Sequence, residues 1–225
     1  KVLNAAKFVY SFPESSISTG SISAGGSTSA GGSISEPLDI DMLAELGAVV
    51  ALATKSLEEY DHARALEAAE QFFWTFCDDY LEVVKERAYG AFGADGQASA
   101  SAALHLAVDV LLRLFAPVIP FATDEVWSWT HDGSVHTAAW PTPPVDAAPT
   151  GLLGLVSEAL IGIRRAKTEA KASQKTEVIT ATLTGPALLQ EAADDVRAVG
   201  RIATLEFVEA PNVAVTSITL AETTE

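Results

Sequence analysis

The stretch Phe72–Tyr89, FFWTFCDDYLEVVKERAY, constrains what this chain can fold into more than any other. Phe72, Phe73, Phe76, Tyr80, Val83 and Val84 recur at spacings that place them on one broad side of a helix, while Asp78, Asp79, Glu82, Lys85 and Glu86 take the other. Each large aromatic in the run can bury about 150–250 Å², so a second apolar surface must meet it. Leu104–Trp129, LHLAVDVLLRLFAPVIPFATDEVWSW, is the segment apolar enough to do so.

The remaining pattern up to residue 141 is helical. Lys1–Ser11 carries Leu3, Ala6 and Val9/Tyr10 on one stripe, with Lys1, Asn4, Lys7 and Phe8 nearer another. Residues 15–35 hold nine Ser and five Gly and repeat as SISTG, SISAGG, STSAGG, SIS. That composition predicts a flexible loop, because it offers little to bury against a high ordering entropy. Asp39 or Asp41 is expected to cap a helix over Met42–Tyr60, whose period is set by Leu43, Leu46, Val49/Val50, Ala53 and Leu57. Asp61 is the expected cap of a helix running uninterrupted from about 62 to Tyr89, where Gly90, Gly93 and Gly96 end it. A third long helix spans Ala98–Phe115. Pro117 and Pro120 stop it, and a short helix opens at Thr123, Asp124 and Glu125 and ends near Trp129. Val135–Trp140 is expected to be extended.

Four prolines within 141–150 mark a linker over 142–150, and the pattern then changes. Leu152–Ala172 is predicted as a helix, Glu177–Leu183 as a strand, Pro186 to Gly200 as a helix, and Ile202–Val208 and Ala214–Leu220 as strands. The expected fold class is mainly α: a helical bundle over 1–141, followed by a small α-β-α-β-β subdomain over 151–225.

The net charge of −16 opposes general nucleic-acid binding, but it is spread unevenly. Residues 1–35 sum to +1 and 151–175 to +3, against −10 for 36–96. A polyanion therefore has two approaches, the first helix and the Ile163–Lys175 stretch. The single cysteine, Cys77, excludes an intramolecular disulfide and a Cys-rich zinc site, and it reads as a buried small hydrophobe in a reducing, cytoplasmic setting. No run reaches the roughly 18 consecutive apolar residues of a membrane span. The chain begins with Lys inside a helical pattern, which suggests a piece of a longer protein.

Several of these segments resemble a known family. KVLNAAKFV resembles the helix that follows the catalytic core in class I aminoacyl-tRNA synthetases of the valine/isoleucine/leucine group. FFWTFCDDYLEVVKERAYG, and LRLFAPVIPFATDEVWSW followed by SVHTAAWP, resemble two segments of the anticodon-binding bundle of the same enzymes. FCDDYLEVVK and GSVHTAAWP resemble the valyl members in particular. LVSEALIGIRRAKTEAKASQKTEV resembles the helix and strand that follow the bundle. The resemblance implies recognition of the anticodon stem-loop of tRNA(Val) by part of an enzyme that ligates valine to its tRNA with ATP and edits threonine. ATP and Mg²⁺ would belong to the catalytic domain, which with an editing domain would lie on the same polypeptide, itself expected to be a monomer. An isoleucyl or leucyl enzyme, or a helical interaction module without RNA contact, remains an alternative.

The HIGH and KMSKS motifs that such a catalytic core implies do not occur here. KASQK, Lys171–Lys175, is a near-miss that ends a helix with no nucleotide-binding βαβ unit around it. No catalytic residue or metal ligand set is predicted. His131 and His136 flank a turn without a third ligand at metal spacing, and Asp78 and Asp79 point apart as helix neighbours. Unstacked loop bases are read by aromatic stacking and edge hydrogen bonds. Lys1, Asn4, Lys7, Phe8 and Phe12 offer those groups, although Phe8 also reads as core. Arg164, Arg165, Lys167 and Lys171 suggest a basic helix face for phosphates, or else a solvated face shared with Glu158 and Glu169. Arg64, Lys85, Arg87 and Arg113 lie among carboxylates and read as internal ion pairs.

Overall fold

A computed structural model describes residues 1–13, 22–23 and 34–221 of the chain. It divides into two compact units, Lys1–Leu81 with Arg87–Pro149, and Glu82–Glu86 with Thr150–Glu225. The first is helical and the second a small α/β unit, which is the predicted class. The flexible loop expected over 15–35 lies largely outside the described residues; Ile22–Ser23 within it form β1, which pairs in parallel with Val145–Asp146, β2.

In the first unit α1 is Val2–Val9, α2 Pro37–Glu58, α3 His62–Thr75, α6 Ala94–Phe115 and α7 Pro120–Trp127; the short helices α4, Leu81–Val83, and α5, Lys85–Ala88, include Glu82–Glu86, which are grouped with the second. The first-unit core gathers Leu38, Met42, Leu43 and Leu46 of α2, the rings of Phe72, Phe73, Phe76 and Tyr80, and the apolar length of α6. Helix α6 touches α1, α2, α3 and α7. Ser99, Ala100, Ser101, Ala102 and Ala103 are all buried near its start, and small side chains there let neighbouring helices approach closely. By length and apolarity α6 is able to cross a membrane, yet 72% of its most apolar window is buried inside the chain, as in a core helix. Between α2 and α3 the chain turns at Tyr60, φ +61°, and the Asp61 carboxylate caps α3 by accepting from the Arg64 N–H at 3.0 Å, as expected.

Four expectations are corrected in this unit. The helix from 62 to 89 is not continuous: a π turn, Phe76–Tyr80, follows α3, with the Leu81 N–H reaching back five residues to the Phe76 carbonyl. Phe76 and Tyr80 stack within it, centroids 5.9 Å apart. Helix α7 opens at Pro120 rather than Thr123, because proline suits the first helical position. Val135–Thr137 form a 3₁₀ turn instead of an extended run, held where Asp124 accepts from the Ser134 hydroxyl at 2.6 Å and the Val135 N–H at 3.0 Å. Those bonds, the hydroxyl first, hold the Asp124 carboxyl below its ordinary range.

The fourth correction concerns Asp39. Helix α2 starts at Pro37, and Asp39 is fully buried in an ion pair rather than capping. Arg87 Nη1 donates to Oδ2 at 2.6 Å and Nη2 to Oδ1 at 2.8 Å. Tyr80 donates its hydroxyl to Oδ1 at 2.7 Å and Ser99 to Oδ2 at 2.7 Å. Ser99 Oγ in turn accepts the Ser35 and Glu36 N–H groups, each at 3.1 Å. Arg87 is thus an internal ion pair, as expected, and so are Arg113 with Asp109 and, on the surface, Lys85 with Glu82.

The second unit holds α8, Leu152–Glu169; β3, Val178–Gly185; a 3₁₀ turn, Ala187–Ala192; α9, Ala193–Gly200; β4, Ile202–Glu209; and β5, Ala214–Leu220. The strand order is β4-β3-β5, with β3 parallel to β4 and antiparallel to β5. A parallel pair needs a crossover, and the 3₁₀ turn with α9 supplies it; the single helix expected over 186–200 is divided in this way. Val178 and Ile179 are consecutive apolar residues, so strict alternation fails. A register shift against β5 between Val178 and Thr180 turns Ile179 outward while Val178, Ala181 and Leu183 face in. Helix α8 stops at Glu169, short of Ala172. Lys171 takes φ +56°, the Ala172 N–H returns to the Lys167 carbonyl and the Lys171 N–H to that of Thr168, a Schellman closure without glycine.

Two measurements follow. Asp39→Ala is expected to cost about 3–5 kcal/mol in urea unfolding, because it strands a buried guanidinium, and Asp39→Leu with Arg87→Met should recover part of that. Burial, then the charge of Asp41, pushes the Glu45 carboxyl up to about 7. A carboxyl whose folded value lies above its unfolded one favours the fold only while protonated, so its contribution is full below about 4.5 and lost as the pH rises through about 7. Glu45→Gln should therefore raise stability at pH 8 by roughly 1 kcal/mol, with solvent screening allowed for, and change it little at pH 4, as read by thermal melts.

Candidate nucleic-acid interface

Helix α1 buries Ala5, Ala6 and Val9, which sets the face it turns outward. Lys1, Asn4, Phe8 and Ser11 follow at spacings of three and four on that outer face, with Lys7 beside them. Lys1, Asn4 and Lys7 are exposed and Phe8 is half-buried. Leu3, expected on the core stripe, is 37% exposed. None of the ion pairs among the described residues uses Lys7, whereas Lys1 Nζ lies 3.1 Å from Asp78 Oδ1. The same ammonium sits 3.7 Å from the centroid of the Trp74 ring.

Phe12 leaves the group of exposed aromatics. It is 5% exposed, because the chain turns after α1 through Ser11 N–H to Phe8 O and Phe12 N–H to Val9 O. Its ring meets Phe8 edge-on with centroids 5.0 Å apart, and Tyr89 at the same separation. Phe12 is thus a support beneath Phe8. Tyr89, which meets Phe12, is 60% exposed, and Trp74, beneath Lys1, is 41% exposed. Sequence reasoning passed over both, although Trp74 carried a signal: within the aromatic run it falls off the apolar arc, on the side of Asp78 and Glu82. Cys77 is half-buried nearby, and burial, then the Asp78 charge, pushes its thiol up to about 11. Such a thiol is protonated and inert at neutral pH.

In the second unit the expected basic face is divided. Arg164, Arg165 and Lys171 are exposed, with Arg165 Nε 2.8 Å from Glu169 Oε1. Lys167 is buried instead, because it sits four residues after Ile163 on the inward stripe of α8. Its ammonium donates to the Gly200 carbonyl at 2.9 Å and the Gln174 carbonyl at 3.2 Å. Burial, then the charge of Arg201, lowers its pKa. Lys167 joins α8 to the last residue of α9 and to the loop that follows α8, and has no surface for a phosphate. Among the described residues no three of His, Cys, Asp and Glu come together as metal ligands. The outer face of α1 offers cations, an amide and one half-buried ring, Phe8, the groups that hold a nucleic-acid backbone and stack unpaired bases.

Comparison with known proteins adds independent findings. Residues 39–183 match the family described as the anticodon-binding domain of tRNA ligase. A valine–tRNA ligase of Leifsonia xyli subsp. xyli is 47% identical over 233 residues, covering 100% of this chain and 26% of the relative. That of Salinispora tropica is 44% identical over 98% of this chain and 27% of its own length, and that of Cutibacterium acnes 48% identical over 83% and 20%. The chain spans about a quarter of the length of the curated relatives it matches.

The two lysines that look alike in sequence should separate on substitution. Lys167→Ala, which leaves two main-chain carbonyls without their donor, is expected to cost about 1–3 kcal/mol in denaturant unfolding. Lys171→Gly should stabilise by about 1 kcal/mol, since glycine takes the left-handed conformation without penalty.

Proposed function

The chain belongs to the anticodon-binding domain family of tRNA ligases, and on that premise we propose that it grips the anticodon stem-loop of tRNA(Val) through the outer face of α1. The observation that carries this reading is the grouping of Lys1, Asn4, Lys7 and Phe8 on one exposed helix face. In an otherwise acidic chain it is a local patch that gathers cations, Lys7 outside any ion pair among the described residues and Lys1 beside the Asp78 carboxylate. Lysines hold the backbone and set the register, and the Asn4 amide, with a donor and an acceptor, reads a base edge. Phe8, propped edge-on by Phe12, presents a ring held in place before RNA arrives, which lowers the ordering cost of stacking. Arg164, Arg165 and Lys171 form a second cationic set for the phosphates of the same tRNA.

The names of the relatives support a wider proposal. The chain acts within a longer, cytoplasmic, monomeric valine–tRNA ligase, whose catalytic portion binds ATP and Mg²⁺ and joins valine to tRNA and whose editing portion removes threonine. The chain's share of that work is to hold the anticodon end so that the acceptor end is placed elsewhere. A helical interaction module without RNA contact is the second reading, favoured by the net charge of −16.

Binding of labelled valine and isoleucine anticodon stem-loops, measured by fluorescence anisotropy against salt, tests the proposal. Lys7→Ala should weaken binding to both hairpins and lower the slope of log affinity against log salt by about 0.7–0.9, one phosphate contact. Asn4→Ala should leave the slope unchanged and erase the preference for valine. Absence of binding at low salt would favour the interaction module.

A further inference from the structure

The proposed site has one member that neither the sequence motifs nor the cationic set accounts for. Trp74 ends the exposed side of α3 with 41% of its surface open, while Phe72, Phe73 and Phe76 around it are buried. Its ring is held from three directions. Phe73 meets it with centroids 6.2 Å apart, the Glu70 carboxylate accepts from its indole N–H at 3.5 Å, and the Lys1 ammonium stands over its face at 3.7 Å. That height above the ring matches the van der Waals spacing of a stacked base. The ammonium therefore marks the space a base would take, and it is kept there by Asp78, 3.1 Å away with its side chain 61% exposed.

Resting on the reading of α1 as an anticodon stem-loop binder, we propose that Trp74 is a stacking platform for an unpaired base of that loop, and that Asp78 is its built-in competitor. In the free chain Asp78 holds Lys1 over the ring. When RNA arrives, a base replaces the ammonium on the indole face, and Lys1 leaves the carboxylate for a phosphate oxygen. The exchange is one ion pair for another and one cation–π contact for a base stack, so little is lost in the displacement. Asp78 would meanwhile repel any phosphate that approaches without a base to stack. A polyanion lacking unpaired bases gains nothing at this position, which makes the device a filter for single-stranded loop against duplex.

The test uses this chain with a fluorescein-labelled valine anticodon hairpin and, as control, a fully paired duplex of equal length. Binding is followed by anisotropy and tryptophan emission. For the wild type, hairpin binding should quench emission. Trp74→Leu should bind the hairpin about 5- to 100-fold more weakly, without most of the quench, and Trp74→Phe should keep most of the affinity. Asp78→Asn should tighten binding of the duplex by a few-fold at low salt and of the hairpin by less, narrowing the gap between them. A circular dichroism melt within a few degrees of wild type keeps the Trp74 variants interpretable. Wild-type binding with Trp74→Leu equally tight and equally quenched would overturn the platform while leaving the anticodon reading in place. No binding of the hairpin by the wild type would overturn both.

Discussion

The buried carboxylate of Asp39 is the constraint on which the first unit depends. A charge removed from water is tolerated only when its lone pairs are filled, and here they are filled by Arg87 in a two-pronged pair, by Tyr80 and by Ser99. Those partners lie 41, 48 and 60 residues away along the chain, on three other parts of the unit. The carboxylate is satisfied only when α2, the π turn, α5 and α6 are assembled together. Apolar packing alone would let the helices slide by a turn at modest cost; the polar network admits one register. Ser99 extends the same control to the chain entering α2, by accepting two main-chain N–H groups there.

That register is what positions the candidate site. Helix α1 lies on α6 and α7, so its outer face is set by where α6 rests. Trp74 and Asp78 lie on either side of the junction between α3 and the π turn, just before Tyr80 is tied to Asp39. Rigid support beneath an exposed aromatic is what a stacking surface needs, since ordering it at the moment of binding would consume the gain. The first unit supplies that support from beneath through Phe12 and Phe73.

Much of this was legible in the residues. The amphipathic spacing of Phe72–Val84 and the apolar length of α6 predicted a helical bundle, and the alternation after residue 176 predicted a small sheet. The reading of Arg87 as an internal pair was available because carboxylates surround it in sequence. What was not legible has physical causes. Asp39 looked like a helix cap because capping is a local effect, whereas its partners are remote. Lys167 looked like its neighbours Arg164 and Arg165, but its place four residues after Ile163 puts it on the buried stripe, where its ammonium serves carbonyls of the second unit. Phe12 looked exposed because it lies past the end of α1, where helical spacing no longer fixes the direction of a side chain, and Pro13 marks the exit without saying which way the ring before it turns. Trp74 was hidden in a run of core aromatics, distinguished only by its angle around the helix.

The π turn carries a consequence of another kind. It contains the only thiol of the chain, half-buried and held at about 11, so that at neutral pH it scarcely reacts while the turn is closed. The turn is held by the buried rings of Phe76 and Tyr80, so the access of solvent to the thiol depends on that packing. Cys77 is therefore a natural clock for that segment. The rate at which a disulfide reagent captures it, set against that of a free thiol, reports how well the turn next to Trp74 is closed, in the unmodified chain, with no label introduced.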